Sequence, residues 1–142
     1  MKTFRRKQVE EITGIPWRRV AFYVAEGLVP LLDPHPGRGR EHRFTESNLI
    51  QLSVIKELAA AGVELSRIRG VLAAGLAKYP EMFERETYRP GGPLYCIVVY
   101  KGRVFYGKTE HVPGKPEIFL TDMTDQRAAI VVNVSKIVGD IF

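Results

Sequence analysis

Thr13-Gly14-Ile15-Pro16-Trp17-Arg18-Arg19-Val20-Ala21-Phe22-Tyr23, followed by Glu26-Gly27-Leu28, is the stretch that decides the fold. Gly14 permits a tight turn, and Pro16 suits the first turn of a helix, where no backbone donor is missed. Val20, Val24 and Leu28 recur at helical spacing and give that helix a face to bury. Arg18, Arg19 and Phe22 fall largely off that face. Upstream, Val9 and Ile12 give a first short helix its apolar stripe. Two short helices about a Thr-Gly turn, the second with arginines near its start, have the pattern of a helix-turn-helix.

Downstream, Val29-Pro30-Leu31-Leu32-Asp33-Pro34-His35-Pro36 carries prolines that preclude a regular helix and favour a stiff, extended connection. Gly37-Arg38-Gly39-Arg40-Glu41-His42-Arg43-Phe44 follows. Alternating glycine and arginine join backbone freedom to charge. Such a loop can approach a phosphate backbone closely and neutralise it, or it can be a plain solvated loop. Thr45 is placed to cap the next helix, with Glu46 at the positive end of its dipole. Leu49, Leu52, Ile55, Leu58 and Ala59 mark that helix's apolar face, and Gly62 ends it. Leu65, Ile68, Val71, Leu72 and Leu76 mark a fourth helix, with Glu64 at its cap. This helix is expected to weaken near Gly75 and to stop or kink at Pro80.

These residues resemble the DNA-binding domain of MerR-like transcription regulators. Their second helix typically reads Arg-Tyr-Tyr-Glu, soon followed by Gly-Leu. The matching run here is Ala21-Phe22-Tyr23-Val24, then Gly27-Leu28. The second aromatic and the Gly-Leu are kept, and Arg18 and Arg19 stand a few residues before the position where the family has its arginine. Arg43-Phe44 resembles the Arg-x-Tyr that ends the family's β-hairpin wing, one residue shorter. Ala61-Gly62-Val63-Glu64-Leu65-Ser66-Arg67-Ile68 resembles the family's join between the third and fourth helices. The resemblance covers about residues 4–76. It implies a winged helix-turn-helix head and a two-fold dimer on a near-palindromic double-stranded DNA site. The family's long coiled-coil helix has no counterpart, because residues 77–86 show no heptads.

The rest of the chain changes character. Residues 79–93 read as a linker, with Arg89-Pro90-Gly91-Gly92-Pro93 at its end. Leu94 to Tyr100 is a nearly continuous apolar strand, and Lys101-Gly102 is a two-residue turn into a second strand, Arg103 to Gly107. Residues 111–116 read as a loop, Glu117 to Thr121 as a third strand and Ala129 to Val134 as a fourth. Ser135 is placed to cap a short last turn. The fold expected is therefore α+β: a head over 1–78, the linker, and a small antiparallel sheet over 94–142 arranged as a meander. So small a sheet cannot hide both faces alone, and a twin chain is the expected cover.

Composition narrows the function. The 142 residues carry a formal net charge of +5, which suits a polyanionic partner. One cysteine excludes an internal disulfide and a cysteine-rich metal cluster. No stretch approaches the roughly 18 apolar residues of a membrane span, and the basic start has no apolar signal core behind it. A cytoplasmic, nucleoid-associated protein without cofactor or metal is expected. Asp122 and Asp125 fit a turn better than a catalytic pair. His35, His42 and His111 lack metal-site spacing, and Cys96 sits inside an apolar strand. No enzyme is expected.

The candidate DNA contacts are Arg18 and Arg19 to bases or phosphates, and Arg38, Arg40 and Arg43 to the backbone or the flanking minor groove. Tyr23 either offers its hydroxyl to a phosphate or packs in the core, and Trp17 either stacks on a sugar edge or packs between helix and wing. A sequence-specific transcription regulator is the leading expectation. A DNA-binding antitoxin or interaction module, and an architectural or recombination accessory factor, are the alternatives.

Overall fold

The computed structural model describes residues 1–100, 103–109 and 130–142. The expected turn at Lys101-Gly102, the loop 111–116, the third strand and the Asp122/Asp125 pair lie outside them. Strand β1 (Thr3–Phe4) leads into α1 (Arg6–Thr13) and α2 (Trp17–Ala25). Strand β2 (Phe44–Thr45) precedes α3 (Glu46–Ala60) and α4 (Leu65–Lys78). Two 3-10 turns, Pro80–Phe83 and Arg85–Thr87, lead to β3 (Leu94–Tyr100), β4 (Arg103–Thr109), β5 (Ile130–Asn133) and α5 (Val134–Ile141).

Thr13 and Gly14 make the turn between the first two helices. Thr13 Oγ1 donates to the Val9 carbonyl at 2.7 Å and accepts from the Ile15 N–H at 3.2 Å. Gly14 takes φ 69°, a conformation that penalises any Cβ. Pro16 stands at the cap position, just outside α2, rather than in its first turn. At the other end Gly27, φ 70°, ends α2, and the Leu28 N–H reaches back to the Tyr23 carbonyl at 3.1 Å. Leu28 is therefore buried beyond the helix, not on its last turn.

α3 is the central helix. Thr45 Oγ1 accepts from the Asn48 N–H at 3.1 Å, and Asn48 Oδ1 accepts from the Thr45 N–H at 2.9 Å, which satisfies two of the helix's first donors. Every residue from Asn48 to Ile55 is buried, so α3 is covered on all sides there, more than a single stripe predicts. α4 begins after Glu64, whose side chain makes no capping bond. It runs through Gly75 without weakening, and Gly75 is itself buried. The expected stop at Pro80 holds, since Pro80 opens the first 3-10 turn.

Residues 79–93, read as a linker, bury Met82 and Phe83 completely. Sheet order is β4-β3-β5, with both neighbours antiparallel to β3. β5 returns beside β3, with Val132 opposite Ile97, so the tail is not the sequential meander expected. Tyr95, Ile97, Val99 and Val132 join the same buried cluster as α3 and α4, which continues into Val134 and Val138 of α5. Asn133, not Ser135, caps α5, its side chain accepting from the Lys136 N–H at 3.0 Å. Ser135 Oγ instead accepts from the Tyr95 N–H at 2.9 Å, tying α5 to β3.

Candidate nucleic-acid interface

Between α2 and β2 the chain makes a long loop with no strand of its own, so the expected β-hairpin is not formed here. Three anchors hold the loop. Asn48 Nδ2 of α3 donates to the Pro30 carbonyl at 3.0 Å, fixing where the loop leaves the core. Asp33 Oδ1 accepts from the His35 N–H at 3.2 Å and bends the proline stretch. At the far end β2 pairs with β1, Phe44 opposite Phe4, and both rings are buried. The tip is a tight turn in which the Arg40 N–H donates to the Gly37 carbonyl at 3.0 Å. Gly39 has φ 78° there, which a turn of this kind requires at its third position. The Gly-Arg-Gly-Arg alternation thus builds a turn with exposed arginines on it.

Arg38, Arg40 and Arg43 are all exposed. Arg40 and Arg43 line a cavity of about 610 Å3 together with Arg5, beside Asp33 and Glu41. Arg40 also lines a larger cavity of about 1010 Å3 between the loop and α2, whose walls include Arg6, Trp17, Ala21, Val24 and His42. Ala21, standing where the family has arginine, is therefore part of this wall. Trp17 meets Phe44 edge-on with ring centroids 5.9 Å apart, and the Arg6 guanidinium lies 4.9 Å from the Trp17 ring. Trp17 thus packs α2 against the end of the loop.

On α2, Arg18 and Arg19 are exposed. Phe22 stands one turn further and is 48 % exposed, unusual for a phenylalanine outside an interface. Helical spacing puts Phe22 beside both arginines. Tyr23 is only 5 % exposed and belongs to the core, the packing alternative of the two weighed for it. Arg5, Arg18, Arg19, Arg38, Arg40 and Arg43 make no ion pair among the described residues.

Sequence reading missed Arg5 and Phe22 as members of this surface. Arg5 precedes α1 by one residue, and only the β1–β2 pairing brings it beside the loop. Phe22 was visible as the residue off the apolar line, one turn from the arginines. The Cys96 thiol lies elsewhere, in β3. Burial pushes the Cys96 thiol up to about 11, so it is a poor nucleophile at neutral pH. Among the described residues no cluster of metal-binding side chains occurs, and no helix is long and apolar enough to cross a membrane.

No curated protein matches the chain. The family model of MerR HTH family regulatory proteins matches residues 4–75, half of the chain, from β1 to Gly75 of α4. That span holds the Thr-Gly turn, the arginine-bearing second helix and the whole loop just described, and the chain belongs to the MerR family of helix-turn-helix regulatory proteins, which act on transcription by binding DNA.

Proposed function

We propose that this chain is a sequence-specific regulator of transcription that binds double-stranded DNA as a two-fold dimer on a near-palindromic promoter site. α2 enters the major groove. Arg18 and Arg19 contact bases or nearby phosphates, and Phe22 contributes an apolar surface for a thymine methyl group. The loop from Val29 to Arg43 serves as the wing, with Arg38, Arg40 and Arg43, joined by Arg5, along the phosphate backbone. Tyr23 holds α2 on the core. The observation that carries this reading is the set of exposed arginines without ion-pair partners among the described residues, gathered on α2, the wing loop and the start of α1.

One experiment separates the two arginine groups. A duplex is selected from a random library, and binding to it and to a scrambled duplex is measured over a salt series. Each bidentate arginine–base contact discriminates by about 1–3 kcal/mol. Alanine at the base-reading position, Arg18 or Arg19, is therefore expected to compress the ratio of selected to scrambled binding. Each phosphate contact adds roughly 0.9 to the log–log salt slope. The Arg38→Ala/Arg40→Ala double variant is expected to weaken both duplexes alike and to flatten that slope. An unchanged slope and affinity in the double variant would reduce the loop to a solvated turn.

A further inference from the structure

Two cations from the supporting helices sit on the ends of the two helices that make the DNA-reading unit. A helix C-terminus leaves carbonyls unpaired and carries the negative end of the dipole, so a cation there meets both needs. Lys56 Nζ of α3 donates to the Thr13 carbonyl at 3.1 Å, at the end of α1. Arg69 of α4 does the same for α2. One guanidinium nitrogen donates to the Glu26 carbonyl, and the other lies 3.3 Å from the Glu26 carboxylate. The carbonyls of Phe22, Tyr23 and Val24 are already taken by the N–H groups of Glu26, Leu28 and Gly27. The Glu26 carbonyl, at the very end, is the one Arg69 reaches.

α2 needs such a hold. It has nine residues and buries only Val20 and Tyr23. Two buried side chains three residues apart decide which face turns inward, but they fix the direction of the axis loosely. Trp17 pins the first turn against Phe44. Arg69 pins the last one.

We propose that Arg69 is a positioning residue for base reading: it holds the C-terminal end of α2 so that Arg18, Arg19 and Phe22 meet the groove at a fixed angle. This rests on the DNA reading above. The ion pair with Glu26 is about half exposed on both sides and is weakened by salt, so the bond to the backbone carbonyl carries the role. Hydrogen bonds to base edges are demanding in angle, whereas attraction to phosphates is tolerant. Releasing the clamp therefore lowers discrimination and leaves the count of phosphate contacts alone.

The test uses the full chain with Arg69→Ala, Arg69→Lys and Glu26→Gln. Each is titrated with the selected and the scrambled duplex over the salt series, and the DNA-free protein is followed by backbone hydrogen exchange at residues 26–28. Arg69→Ala is expected to lower the selected-to-scrambled ratio about tenfold, within the worth of one base contact, with the salt slope unchanged. It also speeds exchange at residues 26–28. Arg69→Lys recovers most of the ratio because it keeps a cation within reach of the carbonyl, and Glu26→Gln matches the parent. An unchanged ratio in Arg69→Ala overturns the proposal. So does an equal loss on both duplexes with the slope lower by about one, which would make Arg69 a phosphate contact. A parent chain that selects no duplex overturns the DNA reading itself. Unchanged exchange in Arg69→Ala overturns the clamp whether or not DNA is bound.

Discussion

At Gly75 a Cβ would lie 3.1 Å from Met82 Cε, 3.2 Å from Tyr106 Cε1 and 3.3 Å from Phe83 Cε2. The missing side chain is what lets the first 3-10 turn and β4 close onto α4. Helix propensity alone argues for replacing it, since alanine gains about 1 kcal/mol over glycine in a helix interior. Packing argues the other way, because two of the three neighbours are aromatic rings in a filled core. For a branched side chain packing wins. Gly75→Val is expected to destabilise the fold by roughly 1–3 kcal/mol, read from denaturant midpoints at constant m. A neutral or stabilised variant would mean that the Met82 and Phe83 side chains yield freely. In the sequence Gly75 reads as a weak point in α4, because a glycine's cost is local. Its benefit is a contact with residues 82, 83 and 106, which no local rule reports.

The elements divide in the same way. The caps at Thr45 and Gly62, the stop at Pro80 and the turn at Thr13-Gly14 were legible, since each depends on residues within one helical turn. The pairing of β5 with β3 was not legible, and neither was the burial of Met82 and Phe83. Both depend on partners far along the chain. The arginines of the proposed interface were visible as charges, but Arg5 joins them only through the pairing of β1 with β2. The junction of α4, the 3-10 turns and the sheet carries a pH dependence of its own. Tyr95 Oη donates to Glu81 Oε1 at 2.9 Å, Tyr88 Oη to the Met82 carbonyl and Tyr106 Oη to the Val71 carbonyl. Burial is the largest cause that raises all three phenols above their ordinary 10.0, and the Glu81 carboxylate raises Tyr95 and Tyr88 further. Above pH 10 the unfolded chain loses these protons first. The stability they lend is therefore complete below about pH 10 and falls as pH rises beyond it. Denaturant unfolding between pH 8 and 11 is expected to show that decline, and Tyr95→Phe is expected to make it shallower. A flat profile would mean that these phenols ionise as readily in the fold as in the open chain.

For the whole molecule, the proposed dimer needs a surface that joins two copies. The inner face of the tail sheet is covered by this chain's own helices, since Tyr95, Ile97, Val99 and Val132 share one core with α3 and α5. α4 ends at Lys78 and gives way to the Pro80 turn, so among the described residues no long pairing helix leaves the head. On the opposite face of the sheet Val98 is buried, while Leu94 and Val131, the latter directly opposite Val98, are each 49 % exposed. The proposed two-fold contact uses that face, where a second copy would cover the exposed leucine and valine. Cutting the chain after Glu86 does not test this, because it removes Ile97, Val132, Val134 and Val138 from the core. Losing even one such side chain costs on the order of 1–5 kcal/mol, against a total stability of about 5–15 kcal/mol, so the truncated head is expected to lose cooperative unfolding. The informative variant keeps the chain whole. Leu94→Glu with Val131→Glu puts carboxylates on the proposed contact without touching the core. Light scattering is expected to show the mass falling from dimer to monomer, with the circular dichroism unchanged. Footprints should shrink in step, from two half-sites about 34 Å apart, or a multiple of that, to one. A dimeric mass in the double variant would move the two-fold contact to the helices and leave the outer face of the sheet for a protein partner.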